Sequence, residues 1–165
     1  MSRYIGTSKF DDANANGFSF VIFYSSCPHH CKGCQNPETW KDKDVGELIT
    51  DKTKQSMFNH IKENEYIYDA LVLSGGDPLC DDNILSAIEI SKEFRQLFPN
   101  KEIWIYTGYD FKDIKNDDCK NEILKYCDYL KCGIYIETLK TVDNIQYDIR
   151  LATSNQKIYK KGVDY

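Results

Sequence analysis

The sequence predicts an α/β fold built as an incomplete, open (βα) barrel, and three observations lead there. Short, almost continuously apolar segments alternate with amphipathic ones, the pattern of βαβ units with parallel strands and right-handed crossovers. The loops richest in chemical groups each begin where an apolar segment stops, as ligand-binding loops do beyond the carboxyl ends of parallel strands. The 165 residues are too few for eight βα units, which take about 250. They suit one domain, residues 1–165, able to bury a core without disulfides.

Each element has its own signal. Phe18 to Tyr24 is apolar, aromatic and β-branched, as a strand buried on both faces should be, and it runs straight into a cysteine-rich loop. Asp51 to Asn64 reads as a helix capped by Thr50 or Asp51, with Met57, Phe58 and Ile61 on its apolar face. Ala70 to Ser74 is a second strand, broken by Gly75-Gly76-Asp77-Pro78. A longer helix is expected from Asp82 to Phe98, with Ile84, Leu85, Ile88, Phe94, Leu97 and Phe98 at helical spacing and Pro99-Asn100 as its stop. Ile103 to Tyr106 is a third strand ended by Thr107-Gly108-Tyr109, a short helix is expected from Asp118 to Cys127, and Asp128 to Ile136 holds one or two more strands. The three loops after these strands should therefore face one another across a shared site.

Composition excludes several classes of function. A formal net charge of −5 with scattered lysines lacks the basic stripe that displaces counterions from phosphates, so no nucleic-acid partner is expected. No apolar run approaches the roughly 20 residues needed to span a bilayer, so no membrane partner is expected either. Seven cysteines, an odd number behind no signal-peptide pattern, point to a reducing compartment, and a cytoplasmic location is expected. The twelve tyrosines are spread through strands and helix ends, where packing explains them.

Cys27-Pro28-His29-His30-Cys31-Lys32-Gly33-Cys34 carries the chemistry. Three thiolates in one loop can hold a metal centre, and the absence of a nearby fourth cysteine leaves a coordination position open. Structural zinc sites usually show paired CxxC spacings and four protein ligands. His29 and His30 lie inside the triplet itself, so ligand arithmetic favours an iron–sulfur cluster while a non-enzymatic zinc module that binds another protein stays the competing class.

The triplet after the first strand and the Gly-Gly-acid motif after the second resemble the radical S-adenosylmethionine superfamily. Within it, Cys34-Gln35-Asn36-Pro37-Glu38-Thr39-Trp40, Ser74-Gly75-Gly76-Asp77-Pro78-Leu79, Trp104-Ile105-Tyr106-Thr107-Gly108-Tyr109 and Thr153-Ser154-Asn155-Gln156 resemble the activating proteins of anaerobic ribonucleoside-triphosphate reductases, from about Gly17 to Gln156. The resemblance implies an open barrel of the radical S-adenosylmethionine type. It implies a 4Fe-4S cluster ligated by Cys27, Cys31 and Cys34, with S-adenosylmethionine chelating the fourth iron. The backbone of Gly33, Cys34 and Gln35, together with Ser74, Gly75, Gly76 and Asp77, is then expected to contact that cofactor. Asp77 stands where many relatives carry glutamate, and glycines let a backbone approach a small ligand closely.

One electron from the reduced cluster would cleave the cofactor to methionine and a 5′-deoxyadenosyl radical, which needs no acid–base triad. The implied substrate is a glycine near the carboxyl terminus of the large reductase subunit, and the implied electron donor a protein such as a flavodoxin. A radical enzyme acting on a small molecule such as a deazapurine precursor is the nearer alternative. Two segments depart from the family pattern: Asn16-Gly17-Phe18 replaces an Asp-Gly-Pro-Gly-like stretch, and Arg150 to Gln156 is a reduced form of Arg-Gly-Ser-Ser-Asn-Gln.

The other chemically notable residues read as packing. Cys119, Cys127 and Cys132, eight and five residues apart, and Cys80 are expected to be ordinary buried thiols. His60 is expected on a helix as a surface or packing residue, and Tyr106 in the core. His29 and His30 are expected to lean over the cluster and tune its potential.

Overall fold

A computed structural model describes residues 1–40 and 45–165. The chain runs through β1 (Arg3–Asp11), β2 (Ser19–Tyr24), β3 (Glu47–Leu48), α1 (Asp51–Glu63), β4 (Ala70–Gly75), α2 (Ile84–Leu97) and β5 (Glu102–Tyr106). It continues through α3 (Phe111–Asn116), α4 (Asp118–Asn121), β6 (Tyr129–Cys132), β7 (Ile145–Gln146), β8 (Ile149–Arg150) and β9 (Lys157–Lys160). Seven strands form one sheet in the order β3-β1-β2-β4-β5-β6-β9. The four central strands, β2, β4, β5 and β6, pair in parallel as their apolar runs predict, and β1, β3 and β9 close the two edges antiparallel.

Both faces of the central strands are covered, which is why those strands read as continuous apolar runs rather than alternating ones. Phe20, Ile22, Leu71, Leu73, Ile103 and Ile105 point to one side and pack with Met57, Phe58 and Ile61 of α1 and Ile84, Ala87, Ile90 and Phe94 of α2. On the other side Val21, Val72, Trp104 and Tyr129 lie side by side by register. They cluster with Ala15, Ile149, Leu151 and Ile158, and Trp104 is stacked on Tyr129 at 4.0 Å. Each large aliphatic side chain buried this way contributes roughly 1.5–3 kcal/mol.

α1 begins as its sequence predicts. Thr50 Oγ1 accepts from the Thr53 amide at 3.2 Å and Thr53 Oγ1 accepts from the Thr50 amide at 2.7 Å, a reciprocal capping box. α2 differs in phase from the expectation: its buried stripe is Ile84, Ala87, Ile90, Ser91 and Phe94, while Leu85 and Leu97 are 72% and 50% exposed. Small Ala87 and Ser91 complete the 3.6-residue period that a purely apolar reading overlooks. The helix expected over Asp118 to Cys127 is α4 followed by a 3-10 turn at Glu122–Lys125, and α3 and the antiparallel strands β1, β3, β7, β8 and β9 have no counterpart among the sequence expectations. The β7–β8 hairpin turns on Tyr147 and Asp148, both with positive φ (50° and 62°), a turn conformation usually signalled by Asn-Gly. No helix among the described residues is long and apolar enough to cross a membrane.

Candidate metal centre

Parallel pairing brings the ends of β2, β4 and β5 to one edge of the sheet, and the three loops predicted to share a site meet there. The cysteine loop leaves β2 after Tyr24 and contains three positive-φ residues, Ser26 (67°), His30 (48°) and Gly33 (80°). Two of these carry side chains, a conformation costing on the order of 1 kcal/mol each that persists only where surrounding contacts impose it. Cys27, Cys31 and Cys34 are free and partly exposed. The Cys34 amide donates to the Cys31 carbonyl at 3.0 Å and the Asn36 amide to Cys34 Sγ at 3.3 Å. Burial pushes the Cys27 thiol up to about 12; the backbone N–H of His29 opposes that rise, and the charge of Asp77 and the neighbouring thiols add to it.

The donor set fits an iron–sulfur cluster, in which each of three thiolates can take a different iron. A zinc ion instead gathers four ligands around one centre at about 2.0–2.3 Å, and the loop offers three cysteines.

The glycines of the Gly-Gly-Asp turn are explained by the protein itself. Gly75 has φ +97°, and a Cβ there would lie 2.6 Å from the Tyr24 amide nitrogen; a Cβ on Gly76 would lie 2.6 Å from the Ser26 carbonyl oxygen. The turn is therefore seated directly against the root of the cysteine loop, tied by Gly76 N–H to the Tyr24 carbonyl at 2.7 Å and Asp77 N–H to the Ser26 carbonyl at 2.9 Å. Asn83, fully buried, adds donations from Nδ2 to the carbonyls of Ser25 at 2.6 Å and Asp77 at 2.9 Å. Gly33 also has a close neighbour: Tyr135 and Glu137 occupy the space a side chain there would need.

Asp77 is where all three loops join. Its side chain is 1% exposed. Oδ1 accepts from the Leu79 amide at 2.8 Å and the Thr107 hydroxyl at 2.9 Å. Oδ2 accepts from the Gly108 amide at 2.8 Å and His29 Nε2 at 2.7 Å. A carboxylate only accepts, so Nε2 carries the imidazole proton. The His29 ring packs edge-on against Tyr109 at 4.7 Å, and His30 stacks on Trp40 at 4.8 Å. The two histidines that look alike in sequence thus have different surroundings.

The motifs that single out Ser74, Gly75, Gly76 and Asp77 together with Gly33, Cys34 and Gln35 carry no sign of this network. Its members are 30 and 48 residues apart, and no local pattern marks such partners. Lys131 was also missed: it pairs with Tyr106 across β5 and β6, donates to the Gly133 carbonyl at 3.1 Å, and burial pulls its ammonium down to about 8. Of the remaining cysteines, Cys80, Cys127 and Cys132 are buried as expected, whereas Cys119 is exposed because it sits in the first turn of the short surface helix α4. His60 is a packing residue, hydrogen-bonded to the Tyr68 hydroxyl at 3.0 Å.

Comparison with known proteins agrees with the donor set. The family model described as a 4Fe-4S single cluster domain matches residues 13–159. The anaerobic ribonucleoside-triphosphate reductase-activating protein of Enterobacteria phage T4 is 37% identical over 131 residues, covering 79% of this chain and 80% of that protein. The protein of the same name from Haemophilus influenzae is 33% identical over 135 residues, covering 82% of this chain and 85% of the relative. The Vibrio cholerae protein is 32% identical over 127 residues, or 77% and 80% of the two chains. Matches of this extent establish that the chain belongs to the family of anaerobic ribonucleoside-triphosphate reductase-activating proteins and contains the 4Fe-4S single cluster domain.

Proposed function

We propose that this chain is the activating enzyme of an anaerobic ribonucleoside-triphosphate reductase and generates a glycyl radical on it. The observation that carries the reading is the meeting of the CxxxCxxC loop and the Gly-Gly-Asp turn at the carboxyl end of a parallel sheet, in a chain of this family. Cys27, Cys31 and Cys34 would hold a 4Fe-4S cluster, and the coordination position they leave open would take S-adenosylmethionine. When bound, the cluster would supply the one electron that cleaves S-adenosylmethionine to methionine and a 5′-deoxyadenosyl fragment able to take hydrogen from a glycine Cα near the carboxyl terminus of the reductase, leaving 5′-deoxyadenosine.

The protein's own part is binding and orientation. Backbone groups of Gly33, Cys34 and Gln35 and of Ser74, Gly75, Gly76 and Asp77 hold the cofactor. The Asp77 carboxylate, already saturated by protein donors, contributes through its main chain. Gly33 and Gln35 are exposed, in keeping with a site that a macromolecular substrate reaches. The sheet acts as an incomplete, open barrel of the radical S-adenosylmethionine type within one domain, residues 1–165, and a flavodoxin-type protein delivers the electron.

Electron paramagnetic resonance tests the proposal. Anaerobically reconstituted, reduced protein mixed with S-adenosylmethionine and the reductase should give a stable glycyl radical signal, and cofactor cleavage should accelerate when the reductase is present. An intact cluster that gives no such radical would refute the assignment, and rapid cleavage coupled to a small molecule instead would redirect it.

A further inference from the structure

We infer that Asp77 is a positioning residue for the cluster, clamping the segment between Cys27 and Cys31 through His29 to the turns that follow β4 and β5. A buried carboxylate with donors from three separate loops fixes all three together, because moving any one strands a buried polar group. His29 is the link to the metal ligands. Its ring donates to Asp77 Oδ2 at 2.7 Å, and its backbone N–H lies toward the Cys27 thiol, whose charged form it favours. The ring is packed on two sides, since Tyr109 lies against it and even a Cβ on Gly108 would come within 2.4 Å of its Cδ2. On either side of His29, Ser26 and His30 hold positive φ values of 67° and 48°, a strained geometry that the clamp over-determines.

The consequence is electronic as well as structural. Hydrogen bonds to ligand sulfurs stabilise the more negative, reduced state of an iron–sulfur cluster and so set its potential. The clamp keeps the His29 N–H beside the Cys27 sulfur; released, that group moves away and the potential falls. The inference rests on the cluster reading above, and the two can fail separately.

Two substitutions test it. His29→Ala removes the ring, whereas His29→Gln places a side-chain N–H where Nε2 stood, with no imidazole. Potentiometry on reconstituted proteins should show the His29→Ala cluster harder to reduce by about tenfold in equilibrium constant, about 59 mV for one electron, and the His29→Gln cluster close to the unsubstituted protein. An unchanged potential in His29→Ala, or an equal fall in both, overturns the inference. Hydrogen exchange on the cluster-free proteins gives a second measurement that needs no metal. His29→Ala should accelerate exchange in residues 26–31 and also in residues 107–109, and His29→Gln should restore both. Acceleration confined to the cysteine loop would overturn the clamp, whereas unsubstituted protein that takes up no iron and sulfide would overturn the cluster reading alone.

Discussion

On the helix-covered side of the sheet, Leu71, Leu73, Ile103 and Ile105 meet α1 and α2 through carbon alone; at the carboxyl end of the same strands Asp77, Asn83 and Thr107 are as inaccessible to water, yet polar. The first region is held by contacts without direction, which tolerate exchange of one apolar shape for another. The second is held by donors and acceptors that work only in one arrangement. The strands thus supply a forgiving base for a site that is not forgiving.

Removing one side chain from each region should expose the difference. Asp77→Ala leaves His29, Thr107 and two backbone amides without their acceptor, and should cost the cluster-free protein about 4 kcal/mol. Leu73→Ala, fully buried in the apolar layer, should cost about 3 kcal/mol. The sharper contrast lies in repair: Leu73→Met should recover most of the loss, while Asp77→Leu should recover none. Denaturant unfolding of the four variants measures both, and recovery in Asp77→Leu would break the distinction.

That contrast also explains what could be read in the sequence. The central strands were legible because burial on both faces writes itself as runs such as Phe20-Val21-Ile22 and Leu71-Val72-Leu73. The metal loop was legible because its ligands are three and four residues apart. β1 went unread because its residues are only partly buried and mix Lys9 and Arg3 with Tyr4 and Ile5, so no period stands out. The clamp went unread for another reason: His29, Asp77 and Thr107 become neighbours only through parallel pairing of β2, β4 and β5, and each alone has an ordinary explanation as a loop residue.

Lys131 tests the border between the two regions. It lies on the same side of the sheet as Tyr129, one step closer to the carboxyl end, next to Tyr106. Burial holds its ammonium at about 8, below the usual 10.5. A cation whose folded value is depressed binds fewer protons folded than unfolded between those two pH values, so stability rises with pH across that window and the penalty is fully present below about 8. Lys131→Met should therefore stabilise the cluster-free protein by roughly 2–3 kcal/mol at pH 7, and the advantage should shrink towards zero as pH approaches 10.5. Comparing variant and parent at each pH cancels the buried thiols and tyrosines, whose raised values act in the opposite direction. A constant advantage at all pH values would mean that packing, and not charge, sets the difference.

The smallest expected effect gives the reference for all the others. Thr50→Ala removes half of the capping box that starts α1, at a cost of about 1 kcal/mol. α1 reaches the sheet through Met57, Phe58 and Ile61, so the loss falls on the apolar region, whose packing has no directional demand to transmit. Thermal unfolding should register it, while iron content and cluster potential stay those of the parent. If Thr50→Ala moved the potential as far as His29→Ala does, the cluster would be responding to general loosening of the fold, and the separation between a tolerant core and an exacting carboxyl end would collapse. If it does not, the sensitivity at His29 belongs to the hydrogen bonds of Asp77 and not to stability as such.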